Sequence, residues 1–121
     1  MAKRYPFSSH NVAVMQAASA STIKLDQNAV TSGRVKWLRG ISITNNIAAE
    51  IGELRVYDSN TEGANPTATL QRLTAIIGPS ETVVLEFPAP GIKFITGIVG
   101  AMATAVGEII AYGITVWGYE E

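Results

Sequence analysis

The sequence predicts an all-β fold, an antiparallel and jelly-roll-like β-sandwich of about eight strands with an extended N-terminal arm. Apolar residues alternate with polar ones at a period of two, and the alternating segments recur about every ten residues. Turn residues near Gly33, Gly78 and Gly91 separate these segments. No segment has a convincing pattern for a long helix.

Composition indicates one domain of 121 residues with few charges. Charged residues make up 16% of the chain, below the usual value of about 25%, so part of the surface is uncharged and available to a partner. The absence of cysteine removes disulfides, thiolate nucleophiles and zinc knuckles. The N-terminus lacks the apolar segment of a signal peptide, and no apolar run approaches the ~20 residues of a membrane span. We therefore expect a soluble protein with no membrane partner.

Charge is unevenly distributed along the chain. Residues 1 to 40 carry six Lys or Arg against one Asp, whereas residues 41 to 121 carry three against nine acidic residues. Either these charges are scattered and solvated, or a basic arm lies on an acidic surface of the same chain or of a neighbour. Six cations spread over the first third of the chain make a poor nucleic-acid patch, so we expect no nucleic-acid partner.

Residues 1 to 11 predict an irregular or extended arm, and residues 12 to 121 a single sandwich domain. The arm has no periodic pattern and is rich in turn-forming residues. Its two aromatic residues are poor choices for a free tail, so we expect the arm to dock on another surface, with its two cations adding attraction where that surface is acidic. The residues expected to make these contacts are Lys3, Arg4, Tyr5 and Phe7.

The first half of the chain contains four predicted strands, over residues 12–16, 21–26, 35–44 and 52–58. A helix over residues 13–20 is the alternative to the first. In the third strand a bulge at Arg39 and Gly40 is expected to reset the alternation. The residues expected to face the core in this strand are Val35, Trp37, Ile41 and Ile43.

The second half contains predicted strands over residues 69–77, 81–87, 92–104 and 108–119. Pro88 and Pro90 deny the backbone two ladder donors and Gly91 permits a turn, so we expect the chain to cross there from one sheet to the other. The residues expected in the core are Leu54, Val56, Leu85, Phe94, Ile114 and Val116.

Catalytic and metal-binding motifs are weak. Residues 58–63 match the opening of a calcium loop at three positions, but Thr69 stands where a bidentate Glu is needed, which favours a plain turn. His10, the single histidine, lies in the arm and has no metal-binding partner or credible catalytic triad. We therefore expect a protein that is not an enzyme and has no catalytic residues, metal or cofactor.

Four aromatic residues, Trp37, Tyr57, Trp117 and Tyr119, could form a carbohydrate-stacking platform. Core packing or subunit contact is the favoured interpretation. The last strand has high β-propensity and one charge, and its open edge would aggregate, so we expect its face or edge to be buried against another subunit of a homo-oligomer. The expected interface residues are Ala111, Gly113, Thr115, Trp117 and Tyr119.

The order of motifs resembles that of a known family. VKWLRGISITN is followed by LRVYD, a polar loop, ETVVLEFPAPGIKFITGI and a closing apolar strand. This order, which spans residues 35 to 119, is similar to small β-sandwich structural proteins of tailed-phage virions, most of all the head decoration or cement proteins. Its most specific part is LEFP followed by GIKFITG.

The resemblance implies a jelly-roll domain that binds the major capsid protein shell at the capsid surface, commonly as a trimer, after a soluble stage in the host cytoplasm. It implies no catalytic residues. Such domains also recur in tail and fibre parts, so a tail or baseplate module is one alternative. A carbohydrate-binding, lectin-like sandwich is another.

Overall fold

The computed structural model of the chain describes residues 3–16, 22–46, 51–62, 68–104 and 109–121. These residues form nine strands and no α-helix, with one 3-10 turn at Ala68–Leu70 before the fifth strand. The strands are β1 (Tyr5–Gln16), β2 (Ile23–Lys24), β3 (Lys36–Asn45), β4 (Gly52–Asp58), β5 (Gln71–Ile77), β6 (Thr82–Glu86), β7 (Ile92–Phe94), β8 (Ile98–Thr104) and β9 (Ile109–Glu120).

The strands pair antiparallel in two sheets. The larger sheet has the order β1-β9-β3-β6, with β7 also paired to β3, and the smaller sheet has the order β2-β8-β4-β5. Because β6 and β7 pair with successive parts of β3, they form one interrupted edge strand. Counted in this way, eight strands form two four-stranded sheets in the order of a jelly roll, and the chain changes sheets at every connection except the one between β4 and β5. The predicted antiparallel β-sandwich is confirmed.

The hydrophobic core lies between the two sheets and contains all six predicted core residues. Five are fully buried, and Leu85 is half-buried against them. Most of them lie where buried and more exposed residues alternate along a strand, as for Leu54 on β4, Leu85 on β6 and Ile114 and Val116 on β9, so a period of two identifies them. The fully buried residues with the largest side chains are Phe94, Leu25, Leu38, Ile41, Ile43, Leu54, Ile77, Ile98 and Ile114.

The inner face of β3 differs from the prediction in its first half. Lys36 and Leu38 are buried there, whereas Trp37 lies on the opposite face. The pairing register with β9 shifts between Leu38 and Gly40, so Arg39 is the extra residue of a bulge. The bulge was predicted, but its effect on the core-facing positions was not. Because Arg39 is an extra residue, the core-facing side chains are even-numbered before it, as at Leu38, and odd-numbered after it, as at Ile41.

The chain does not change sheets at residues 88–91, so that prediction was wrong. Glu86 pairs with Gly40 before the loop, and Ile92 pairs with Leu38 after it, on the same edge of β3. The loop between β6 and β7 lies opposite the bulge at Arg39, where the hydrogen bonding between strands is already interrupted. Pro88 and Pro90, which lack a backbone N–H, therefore cost no strand hydrogen bond there. The chain crosses to the smaller sheet between β7 and β8.

Residues 5–11 are the first part of β1 and are not a separate arm. This strand pairs with β9 along its full length, from Tyr5 opposite Glu120 to Gln16 opposite Ile109. The expected extended conformation is present, but the boundary predicted at residue 11 falls inside a strand. Pro6 is tolerated because β1 is an edge strand. Residues 13–16 are strand where a helix was the alternative, and residues 17–20 lie outside the described part.

Within the described ranges, no helix is long and apolar enough to cross a membrane.

Candidate functional site

The outer face of the larger sheet, which points away from the core, carries four of the five predicted interface residues. Its side chains come from β1, β9, β3 and β6, in rows that the strand register defines. One row runs Ser8, Trp117, Gly40, Glu86, and the next runs His10, Thr115, Ser42, Val84. Two adjacent regions of this face differ in chemistry, one aromatic and charged, the other uncharged.

The aromatic region is a groove beside Trp117. The indole of Trp117 lies over Gly40, where a Cβ atom would be only 2.1 Å from an indole carbon. Glycine at position 40 therefore lets the indole lie on the sheet. The cavity next to it measures about 460 Å³, and we call it the Trp117 groove; it is lined by Arg39, Glu86, Phe87, Pro88 and Trp117.

The charged wall of the Trp117 groove is fixed by the bulge. Arg39 donates from Nε to the carbonyl oxygen of Phe87 at 3.1 Å, and its own carbonyl accepts the Phe87 N–H at 2.9 Å. Gly91 closes the loop with φ of 108°, and a Cβ there would lie 2.4 Å from the Leu38 carbonyl oxygen. The loop and bulge are therefore held together by backbone contacts that leave no room for a larger residue.

The second region is an uncharged patch of small side chains. Thr44 and Thr82 share a hydrogen bond between their hydroxyls at 3.0 Å, and His10 Nδ1 lies 2.6 Å from the Thr115 hydroxyl at the border. Val84 is 57% exposed. We define the uncharged patch as Ser42, Thr44, Thr82, Val84, Gly113 and Thr115.

Four of the five predicted interface residues, Gly113, Thr115, Trp117 and Tyr119, share this outer face, since they alternate along β9 with buried neighbours. Ala111 also belongs to β9, but its side chain lies outside the described part. Both edges of β9 are paired within the chain, to β1 and to β3. The prediction that another subunit covers an open edge of β9 is therefore wrong. A subunit contact through the outer face of β9 stays a prediction.

The aromatic residues predicted to anchor an arm contact this chain's own body. Phe7 packs against the hydrophobic core, with Lys36 Nζ 5.2 Å from its ring centroid. Tyr5 is 41% exposed and lies beneath the guanidinium of Arg34, 4.3 Å from its ring centroid. Both rings thus cover the end of the sandwich where these two cations lie.

Arg4 also contacts the same chain. Its Nε lies 3.5 Å from a carboxylate oxygen of Glu121, and its guanidinium carbon is 4.7 Å from the ring centroid of Tyr119. Lys3 is exposed. The acidic surface met by Arg4 is therefore the C-terminal end of its own chain, one of the two possibilities that the charge pattern left open.

A cluster of buried charges lies beneath Tyr5 and Phe7, next to a cavity of about 250 Å³. Glu120 accepts the backbone N–H of Thr31 at 3.0 Å, its hydroxyl at 2.9 Å and an Arg34 nitrogen at 3.4 Å. Burial alone would raise the pKa of Glu120, but these hydrogen bonds and the charge of Lys36 outweigh it, and the pKa is lowered. Glu120 is therefore held as a carboxylate.

Asp58, the first residue of the calcium-like segment, has a structural role. Its buried carboxylate accepts the backbone N–H groups of Ile95, Thr96 and Gly97, at 2.8 Å for Thr96. Arg72 lies 3.7 Å from it. Asp58 thus fixes the connection where the chain crosses between sheets. Among the described residues, no cluster of three or more His, Asp or Glu could hold a metal ion.

The four aromatic residues do not form one platform. Tyr57 belongs to the smaller sheet, where it is buried with Val99, Ala101 and the partly buried Leu70. The other three belong to the larger sheet. The sequence identified Trp117 but missed its groove partners, Arg39 and Glu86; the predicted bulge was the only available signal, because bulges re-aim side chains beside functional sites.

No protein-family model matches this chain, and no curated protein is similar to it. Among solved structures, the chain is similar to the crystal structure of PirA, with a TM-score of 0.40 and 9% sequence identity. That similarity covers 97% of this chain and 94% of PirA.

Proposed function

We propose that this protein is a non-enzymatic structural subunit of a phage virion, a head decoration or cement protein that binds the major capsid protein shell. The observation that carries the proposal is the uncharged patch on the outer face of the larger sheet. An exposed valine among threonines and a glycine can be covered by another protein surface without desolvating a charge, and the cores of protein interfaces are depleted in charge.

The patch also supports association between copies of the chain, as a homo-oligomer and in the first instance a trimer. Gly113 and Thr115 on β9 present little side-chain bulk, so a second surface can approach closely. Thr82 and Val84 extend the same patch to β6. A monomer in solution that assembles only on the shell fits the same chemistry.

Electron microscopy of virions from the host that produces this chain tests the proposal. Immunogold labelling with an antibody against the chain should mark the head, and virions lacking the chain should show no label and a less stable head. Labelling of the tail or baseplate would favour the alternative structural module. Absence of label from purified virions would refute the virion function.

The contact surface can be tested with two matched substitutions. Val84→Arg places a charge on the uncharged patch, whereas Ile76→Arg places one on a 70% exposed aliphatic residue of β5, in the smaller sheet. Val84→Arg should abolish head binding and any oligomer seen by sedimentation, and Ile76→Arg should preserve both. Equal effects of the two changes would exclude the uncharged patch as the contact surface.

A further inference from the structure

The Trp117 groove has an aromatic floor held in a fixed position. The indole is confined on one side by Gly40, where even a methyl group would clash with three of its atoms. Trp117 is only half-buried, and it borders a cavity within the size range of small-molecule sites. A flat ring supported from behind and open in front can stack against a ligand without first being ordered, which lowers the entropy cost of binding.

The walls of the groove offer both hydrogen-bond donors and acceptors. Glu86 is exposed, and its carboxylate has no hydrogen bond or ion pair within the described ranges of the chain. Arg39 uses Nε to bind Phe87, and its terminal nitrogens have no other partner in the same part of the structure. The groove therefore presents an acceptor pair, a donor pair and an aromatic surface.

This combination selects one class of ligand. A pyranose ring has a face of C–H groups that stacks on an indole, and adjacent hydroxyls that each need a donor and an acceptor. Because Arg39 and Glu86 carry opposite charges, their attraction and repulsion of a charged ligand largely cancel, so the site favours a ligand without net charge. A simple apolar ligand would displace water from both charged groups without replacing its hydrogen bonds.

We propose that the Trp117 groove binds a neutral carbohydrate, with Trp117 stacking on the sugar ring and Arg39 and Glu86 bonding its adjacent hydroxyls. This function goes beyond the structural role proposed above and does not depend on it. It assigns Trp117 to a ligand in place of a neighbouring subunit, while the uncharged patch keeps its role in protein contact.

The test begins with a glycan array that includes neutral and sialylated glycans, followed by titration of the best neutral oligosaccharide by calorimetry. Neutral glycans should bind, with an affinity that changes little between low and high salt, because no net charge is exchanged. A protein that is folded by circular dichroism yet binds no glycan on the array overturns the proposal. Binding restricted to sialylated glycans would also overturn it.

Variants locate the site. Trp117→Ala should weaken binding at least about tenfold, because it removes the stacking surface. Glu86→Gln keeps the shape and should weaken it several-fold. Trp37→Phe is the matched control, since Trp37 does not line the groove, and it should bind as the unmodified chain does. Unchanged binding by folded Trp117→Ala would overturn the assignment.

Discussion

Lys36 and Asp26 form an ion pair inside the sandwich, with 2.5 Å between Nζ and Oδ2 and each side chain only 4% exposed. Lys36 also donates to the carbonyl oxygen of Asn28 at 2.6 Å, and the Asn28 N–H binds the other oxygen of Asp26 at 3.1 Å. Three groups thus satisfy one another where both charged side chains are almost fully buried. Such a pair is costly to break because the remaining charge stays buried.

Lys36→Met is expected to lower the free energy of unfolding by about 3 to 5 kcal/mol, since it leaves Asp26 buried without its cation. Urea unfolding at neutral pH measures this loss. The double variant Lys36→Met with Asp26→Leu should recover much of it, because no buried charge remains.

The exposed pair between Arg55 and Glu53, at 3.1 Å, is the control for that experiment. Arg55→Met should cost no more than about 1 kcal/mol, because solvent screens the pair. A loss from Lys36→Met as small as that from Arg55→Met would contradict the buried position of Lys36.

Glu120 is expected to make stability depend on pH. Its folded-state pKa lies below the ordinary value of 4.5, so its stabilising contribution is fully present above about pH 4.5 and is lost as pH falls through the folded pKa. The difference in unfolding free energy between the unmodified chain and Glu120→Gln should therefore be largest at neutral pH and shrink below pH 4.5. A difference that stays constant with pH would show that the charge of Glu120 is not involved.

The alternation of apolar and polar residues predicted the core-facing positions correctly where a strand is regular. Leu54 and Val56 point inward because β4 is regular there. Lys36 was missed because hydrophobicity places lysine outside, and the burial of this one depends on Asp26, which the fold brings beneath it. No local pattern contains that information.

The site was predicted only in part because its residues are brought together by strands that are far apart in the sequence. Tyr5 and Phe7 were expected to contact a shell or a neighbouring subunit, but they lie in a strand that pairs with β9 of the same chain, which begins more than 90 residues later. Trp117 was predicted as a subunit-interface residue, but Arg39 and Glu86 join it only through the registers of β3 with β9 and with β6. The residue types could be read from the sequence, but the groove depends on strand registers that the sequence pattern does not contain.

Two glycines of β9 are expected to respond oppositely to alanine. A Cβ at Gly118 would lie 2.0 Å from the carbonyl oxygen of Trp37, in the backbone of the neighbouring strand. Gly118→Ala should therefore cost at least about 2 kcal/mol, because β3 and β9 must separate to admit it. Urea unfolding measures the loss, and an unchanged midpoint would refute this close approach.

Gly113→Ala is the matched change on the same strand. The nearest atom to its added Cβ is an atom of His10 at 3.7 Å, an ordinary contact. The variant should be as stable as the unmodified chain or more stable by up to about 1 kcal/mol, since glycine weakens a strand. Because Gly113 belongs to the uncharged patch, sedimentation of this variant also shows how much bulk a subunit contact tolerates.

The N-terminal strand is expected to stabilise the sandwich, which differs from the behaviour of a separable arm. Deletion of residues 1–9 would remove the pairing of Tyr5 through Ser9 with β9 and would expose that edge of β9. Phe7→Ala alone should cost about 1 to 3 kcal/mol because its ring packs on the core. Tyr5→Ala should cost less than about 1 kcal/mol, since that ring is half-exposed and held mainly by Arg34. Urea unfolding ranks the three: the deletion should be the least stable and Tyr5→Ala the most. A deleted chain with an unchanged unfolding midpoint would show that β1 is dispensable and would restore residues 1 to 9 to a role in binding a partner.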